Sequence, residues 1–172
     1  MNPKLMPIFE RRSVRKYTAD ELSDGAIRDI LEAGMAAPSA VCRDPWDVVV
    51  VRDKAVLAEM ATELPNAPML PHAAAALVVV GNPAEAHDQK LSYLLQDCSA
   101  LVENMLLATS MLGLGACWLG IHPREPRIVH LRNVLNIPED RLPIAAIAIG
   151  HPADSPEPRT RYNEKKVHWK KW

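Results

Sequence analysis

Apolar residues at Ile27, Ile30, Leu31 and Met35 follow the three-and-four spacing of one helical stripe, and Ser23 stands where an N-cap belongs. This predicts a helix with those four positions buried, stopped by Ala37-Pro38-Ser39. Trp46 to Val51 is a short, valine-rich run that predicts a strand buried on both faces, and Lys54 to Leu64 returns to helical spacing. Pro65, Pro68 and Pro71 interrupt the chain before Ala75 to Val80, a second buried strand closed by Gly81. The longest pattern runs from Lys90 to Leu112, with Leu91, Leu94, Leu95, Cys98, Val102, Met105, Leu106, Thr109 and Leu112 on one broad face. Asp97, Glu103 and Asn104 inside it exclude a membrane span. Beyond Gly113 and Gly115, Ala116 to Leu119 predicts a third strand. Glu125 to Leu135 predicts a helix with Ile128, Leu131 and Leu135 inward, and Ile144 to Ile149 a fourth strand.

Helices separate some of these strands and tight links join others, which predicts an α+β fold. With 172 residues, 48% of them apolar, the chain suits a single domain spanning 1–172 with one substantial core. Residues 151–172 form an extended C-terminal arm carrying Pro152, Pro156 and Pro158 and ending in Trp169 and Trp172. Such a segment cannot pack alone yet is too aromatic to be a solvated fray, so it is expected to lie on another surface, such as a second subunit.

A net charge of −1 leaves no overall field for nucleic acid or an anionic membrane. Cys42, Cys98 and Cys117 are widely spaced and form no Cys-x-x-Cys pair, which argues against a disulfide framework or a zinc knuckle. The first eight residues are too polar for a signal peptide, so a cytoplasmic protein is expected. The six histidines form no His-x-x-x-His pair, and no dedicated metal site is expected.

Against this near-neutral background, Arg11-Arg12-Ser13-Val14-Arg15 gathers three guanidiniums and a hydroxyl in five residues. Arg159-Thr160-Arg161 adds a second basic cluster almost a chain length away. If folding brings the two together, their ligand is expected to be a phosphate, which offers acceptors to planar forks of donors. Gly113, Gly115 and Gly120 resemble a dinucleotide fingerprint, but they follow a helix and open a strand, the reverse of a Rossmann turn.

The ordered series Arg11 to Arg15, Ala37-Pro38-Ser39, Pro45-Trp46, Asp97 and Gly113 to Gly120, closing with Gly150-His151-Pro152 and Arg159-Thr160-Arg161, resembles the FMN-dependent nitroreductase family over nearly the whole chain. The resemblance implies a mostly antiparallel central sheet flanked by helices, and a homodimer with FMN sites at its interface. It also implies a C-terminal tail exchanged between subunits, which would give Val167 to Trp172 a place on the partner's sheet. The activity implied is hydride transfer from NADH or NADPH through bound flavin to nitroaromatics, quinones or similar acceptors by a ping-pong mechanism. The cofactor carries the chemistry there, so no side chain is expected as a catalytic acid or base.

By the same resemblance, Arg11, Ser13, Arg159 and Arg161 hold the FMN phosphate, and Arg12 the ribityl chain or phosphate. Arg15 stands beside the flavin pyrimidine, and Trp118, Leu119 and Gly120 face the middle ring. Pro38, Ser39 and Cys42 match the segment supplied by the second subunit. The family pattern there reads Asn-x-Gln-Pro-Trp, whereas this chain has Cys42-Arg43-Asp44-Pro45-Trp46. A thiol is a weak partner for the pyrimidine edge, which leaves a second reading open: a flavin-binding carrier or redox sensor with little turnover. Residue by residue, plainer roles exist: a solvated basic face for the arginines, a helix stop for Ser39, cap and turn positions for Gly113 and Gly115, core for Trp118 and an inert thiol for Cys42. Only about ten residues, Asn82 to Leu91, join the second strand to the long helix, so any lid over the site is expected to be small.

Overall fold

The structure, a computed structural model, describes residues 2–172. It opens with a short helix, α1 (Met6–Glu10), that the hydrophobic pattern does not announce. Helix α2 (Asp24–Met35) begins where Ser23 predicts, its Oγ accepting from the Ala26 N–H at 3.1 Å. Ile27 and Ile30 are buried as expected, but Met35 is 52% exposed, and it is Gly34 that faces the core. There Met105 packs so close that a Cβ on Gly34 would lie 2.5 Å from it.

Strand β1 (Trp46–Val51) leads to α3 (Lys54–Ala61) and then β2 (Ala75–Gly81). Helix α4 (Leu91–Met111) runs into β3 (Gly115–Gly120), and α5 (Glu125–Leu135) precedes β4 (Leu142–Gly150). The sheet order is β1-β2-β4-β3 with every pair antiparallel, so the fold is α+β as predicted. The expectation that β1 is buried on both faces is corrected by this order. As an edge strand it pairs only with β2, and Asp47 and Val50 are exposed.

Central strands β2 and β4 are covered on both sides, which is why they read as continuous apolar runs. Leu77, Val79, Ile147 and Ile149 pack with Ile30, Leu94, Leu101 and Met105 of α2 and α4. Val78, Val80, Ala146 and Ala148 pack with Leu57, Met60, Ile128 and Leu131 of α3 and α5. The sheet is thus the middle of three layers. Leu91 and Leu112, placed on the buried face by their spacing, are each 45% exposed because they sit at the two ends of α4, beyond the sheet. Gly113 adopts φ +73° and lets the Leu114 N–H reach the Thr109 carbonyl at 3.0 Å, which turns the chain sharply into β3.

Gly115 decides how the N-terminal segment is mounted. A Cβ there would lie 2.7 Å from a Val14 methyl, and this closeness lets the Val14 N–H donate to the Ala116 carbonyl at 2.8 Å. Replacing Gly115 by valine is expected to cost about 1–3 kcal/mol, by the usual cost of overpacking, and to loosen Arg12 to Arg15 from the sheet. Urea unfolding midpoints, with proteolysis of the first fifteen residues, would check it.

Burial, reinforced by the neighbouring Asp97 carboxylate, pushes the Cys98 thiol up to about 12. The unfolded chain releases that proton near 9.0 while the folded chain keeps it, so folding stability falls as pH rises above about 9. The expected contribution is roughly 1.4 kcal/mol per pH unit between those values. Denaturation curves at pH 8 and 10 should show a shallower loss in Cys98→Ala.

Candidate active site

Alternating backbone geometry aims Val14 into the core, where it is 6% exposed, and leaves Ser13 and Arg15 exposed on either side of it. Ser13 forms a parallel bridge with Ala116, so the arginine-rich segment lies along the outer edge of β3. The Tyr17 hydroxyl locks this arrangement by donating toward the carbonyls of Val14 and Ala148, at 2.8 and 3.1 Å.

The arm then returns along the same segment. Thr18 N–H donates to the His151 carbonyl, Ala153 N–H to Lys16, and Arg159 N–H to Phe9, each at 2.9 to 3.0 Å. Arg12 also donates to the Glu157 carbonyl. These bonds carry Arg159 and Arg161 to Arg11 and Arg12, and the four guanidiniums line one cavity of about 360 Å³ with Ile8, Ser13, Glu103, Leu106 and Trp118. Glu103 is the only acid among these, and its carboxylate lies 3.2 Å from Arg11 Nε. Repulsion from Arg161 first, then from Arg12, with desolvation and Arg11 adding to it, lowers the Arg159 guanidinium from its usual value. A site with that excess of positive charge is suited to a dianion.

Trp118 also lines a second cavity, of about 160 Å³, with Arg15, Leu64, Asn66, Ala67, Cys117, Leu119, Gly120 and Arg127. No carboxylate lines it, and among the described residues neither Arg15 nor Arg127 has an acidic partner. Arg127 donates to the Gly120 carbonyl at 2.7 Å, which pins the end of β3. A Cβ built on Gly120 meets no atom within 4 Å, so this end of the strand borders open space. Cys117 is buried, and that burial raises its thiol from the usual value, with Arg15 pulling it back.

Pro38, Ser39 and Cys42 line neither cavity. They belong to a loop at the end of α2 with Val41 63% exposed and Cys42 exposed. Asn66, Glu103 and Arg127 are cavity residues that the sequence reading passed over. Asn66 lies in the proline-interrupted stretch that read only as a break, and Glu103 and Arg127 look like ordinary solvated positions on helices. Among the described residues there is no cluster of His, Cys, Asp or Glu able to hold a metal ion, and no helix is long and apolar enough to cross a membrane.

A family model described as "Nitroreductase family" matches residues 8–151. The chain belongs to the nitroreductase family. Among its relatives, an Archaeoglobus fulgidus protein named "Putative NADH dehydrogenase/NAD(P)H nitroreductase" is 41% identical over the full length of both chains. A crystal structure of a protein so named from Bacteroides thetaiotaomicron superposes with a TM-score of 0.93 at 41% identity, covering 100% of this chain and 99% of that one. A Desulfovibrio desulfuricans protein solved in complex with FMN superposes at 0.86 with 32% identity, covering 100% and 99%. Membership in the nitroreductase family places this chain among oxidoreductase enzymes, and the neighbours establish the nitroreductase-like fold expected from the sequence.

Proposed function

We propose that this nitroreductase-family protein is an NAD(P)H-dependent oxidoreductase that uses FMN, with its phosphate held by Arg11, Arg12, Ser13, Arg159 and Arg161. The observation that carries the reading is the meeting of four guanidiniums around one cavity that contains a single carboxylate. The residues fit the cofactor. The donor set matches a phosphate, Trp118 joins that cavity to the second, and Gly120 leaves open space where a flat ring would have to approach the backbone.

Bound FMN would supply a two-electron carrier that accepts hydride from NADH or NADPH and passes it to a nitroaromatic, quinone or similar acceptor in alternating half-reactions. The protein's share is positional and electrostatic. Arg15 and Arg127 set a positive potential at the second cavity, Leu119 and Gly120 line it at the end of β3, and Trp118 borders both cavities.

The active unit is a homodimer. Beyond Arg161 the arm has Tyr162, Trp169 and Trp172 at 70%, 85% and 101% exposure, while β1 offers an unpaired edge. Exchange of arms would cover both, and Pro38, Ser39 and Cys42 of one subunit would complete the flavin site of the other. Such an enzyme functions in the cytoplasm, where reduced nicotinamides are available.

The test is the visible spectrum of the purified protein with its mass in solution. A yellow dimer bleached rapidly by NADH or NADPH and recoloured by a nitrofuran or quinone is expected. Slow bleaching by both donors would favour a flavin carrier, and protein that stays colourless after incubation with FMN would overturn the assignment.

A further inference from the structure

Asp97, on α4, is 5% exposed, with one carboxylate oxygen accepting from the Ala40 N–H at 2.9 Å. The other oxygen is fully buried and has no hydrogen-bond partner. A buried carboxylate met by a single donor is a costly way to fill a helix position, and an apolar residue would pack the same space at less expense. The loop it anchors is itself unusual. Val41, Cys42 and Asp44 all have positive φ, at 50°, 55° and 49°, a region that non-glycine residues avoid and β-branched valine most of all. Ser39 and Asp44 tie the loop's ends together through a side-chain pair and through the Asp44 N–H to Ser39 Oγ at 2.9 Å. The strained turn points its apolar Val41 outward and keeps Cys42 exposed. Backbone strain of this kind clusters at active sites and ligand clamps.

We propose that Asp97 is a positioning residue that holds the Ser39–Asp44 loop in the shape it presents to the flavin of the other subunit. This rests on the reading of the protein as an FMN-binding dimer. Asp97 touches neither cofactor nor substrate; it raises the fraction of molecules in which the loop is ready to bind. If that fraction falls to about a tenth without the anchor, the apparent FMN dissociation constant rises about tenfold.

The experiment compares Asp97→Asn, which keeps an acceptor for the Ala40 N–H, with Asp97→Leu, which removes it and fills the space. Each dimer is measured by FMN fluorescence titration, thermal melting and hydrogen exchange at the Ala40 amide. Asp97→Asn is expected to retain amide protection and FMN affinity. Asp97→Leu is expected to melt at the same or a higher temperature, yet lose amide protection and bind FMN about tenfold more weakly. Affinity lost with no loss of stability is a result that a purely structural role does not produce. Asp97→Ala removes the same acceptor without added bulk and serves if leucine does not fit. Unchanged FMN affinity in a folded variant lacking the acceptor, beside wild type that binds FMN, overturns this inference alone. Wild type that takes up no FMN overturns the functional reading and the inference together.

Discussion

Replacing Arg11 and Arg159 together by alanine is expected to raise the FMN dissociation constant by about two to four orders of magnitude. Each charge-assisted contact contributes about 1.5–3 kcal/mol, and every 1.4 kcal/mol is tenfold. The same change should leave the unliganded fold intact. Arg11 loses only a half-exposed ion pair with Glu103, a type of contact that contributes about 1 kcal/mol or less. Arg159 sits against Arg161, Arg12 and Arg11, so its removal relieves repulsion. Fluorescence titration alongside thermal melting separates the two effects. Wild-type binding should also weaken as salt rises, because the cluster is solvent-accessible. Equal FMN affinity in wild type and double variant would place the phosphate elsewhere.

Gly120→Val tests the ring end of the same site by shape. The new side chain meets no protein atom at its Cβ, the backbone needs no positive φ, and valine suits a strand, so stability should change little. The added methyls would nevertheless occupy space beside the second cavity that a flavin ring needs. A steric penalty of about 1–3 kcal/mol corresponds to roughly tenfold to a hundredfold weaker FMN uptake. Inorganic phosphate should still protect the variant from thermal unfolding as it protects wild type, because the arginine cavity is untouched. Full FMN affinity in Gly120→Val would show that the ring does not approach this strand.

The elements that local pattern could reveal were those whose signal is carried within the element itself. Ser23 caps α2, the continuous apolar runs of β2 and β4 mark buried strands, and Gly113 turns the chain at φ +73°. Misread positions lay where exposure depends on what stands opposite. The four valines of β1 look like a central strand, but nothing in their order says that the strand occupies an edge. Met35, Leu91 and Leu112 keep helical spacing to the end of their helices and then run out of sheet to cover. Asn66 and Arg127 could not be singled out, because neither has a local pattern that distinguishes a cavity residue from a solvated one.

What the sequence determined by itself was the menu: an α+β chain, two basic clusters almost a chain length apart, glycines at the turn into β3, and an aromatic arm without a core of its own. Only the tertiary structure decided that the clusters meet. Their meeting is made by long-range backbone hydrogen bonds, from Val14 to Ala116, Ala153 to Lys16 and Arg159 to Phe9. Every residue offers the same donor and acceptor to such bonds whatever its side chain, so which segments pair is set by the packing that brings them side by side and cannot be read from either segment alone.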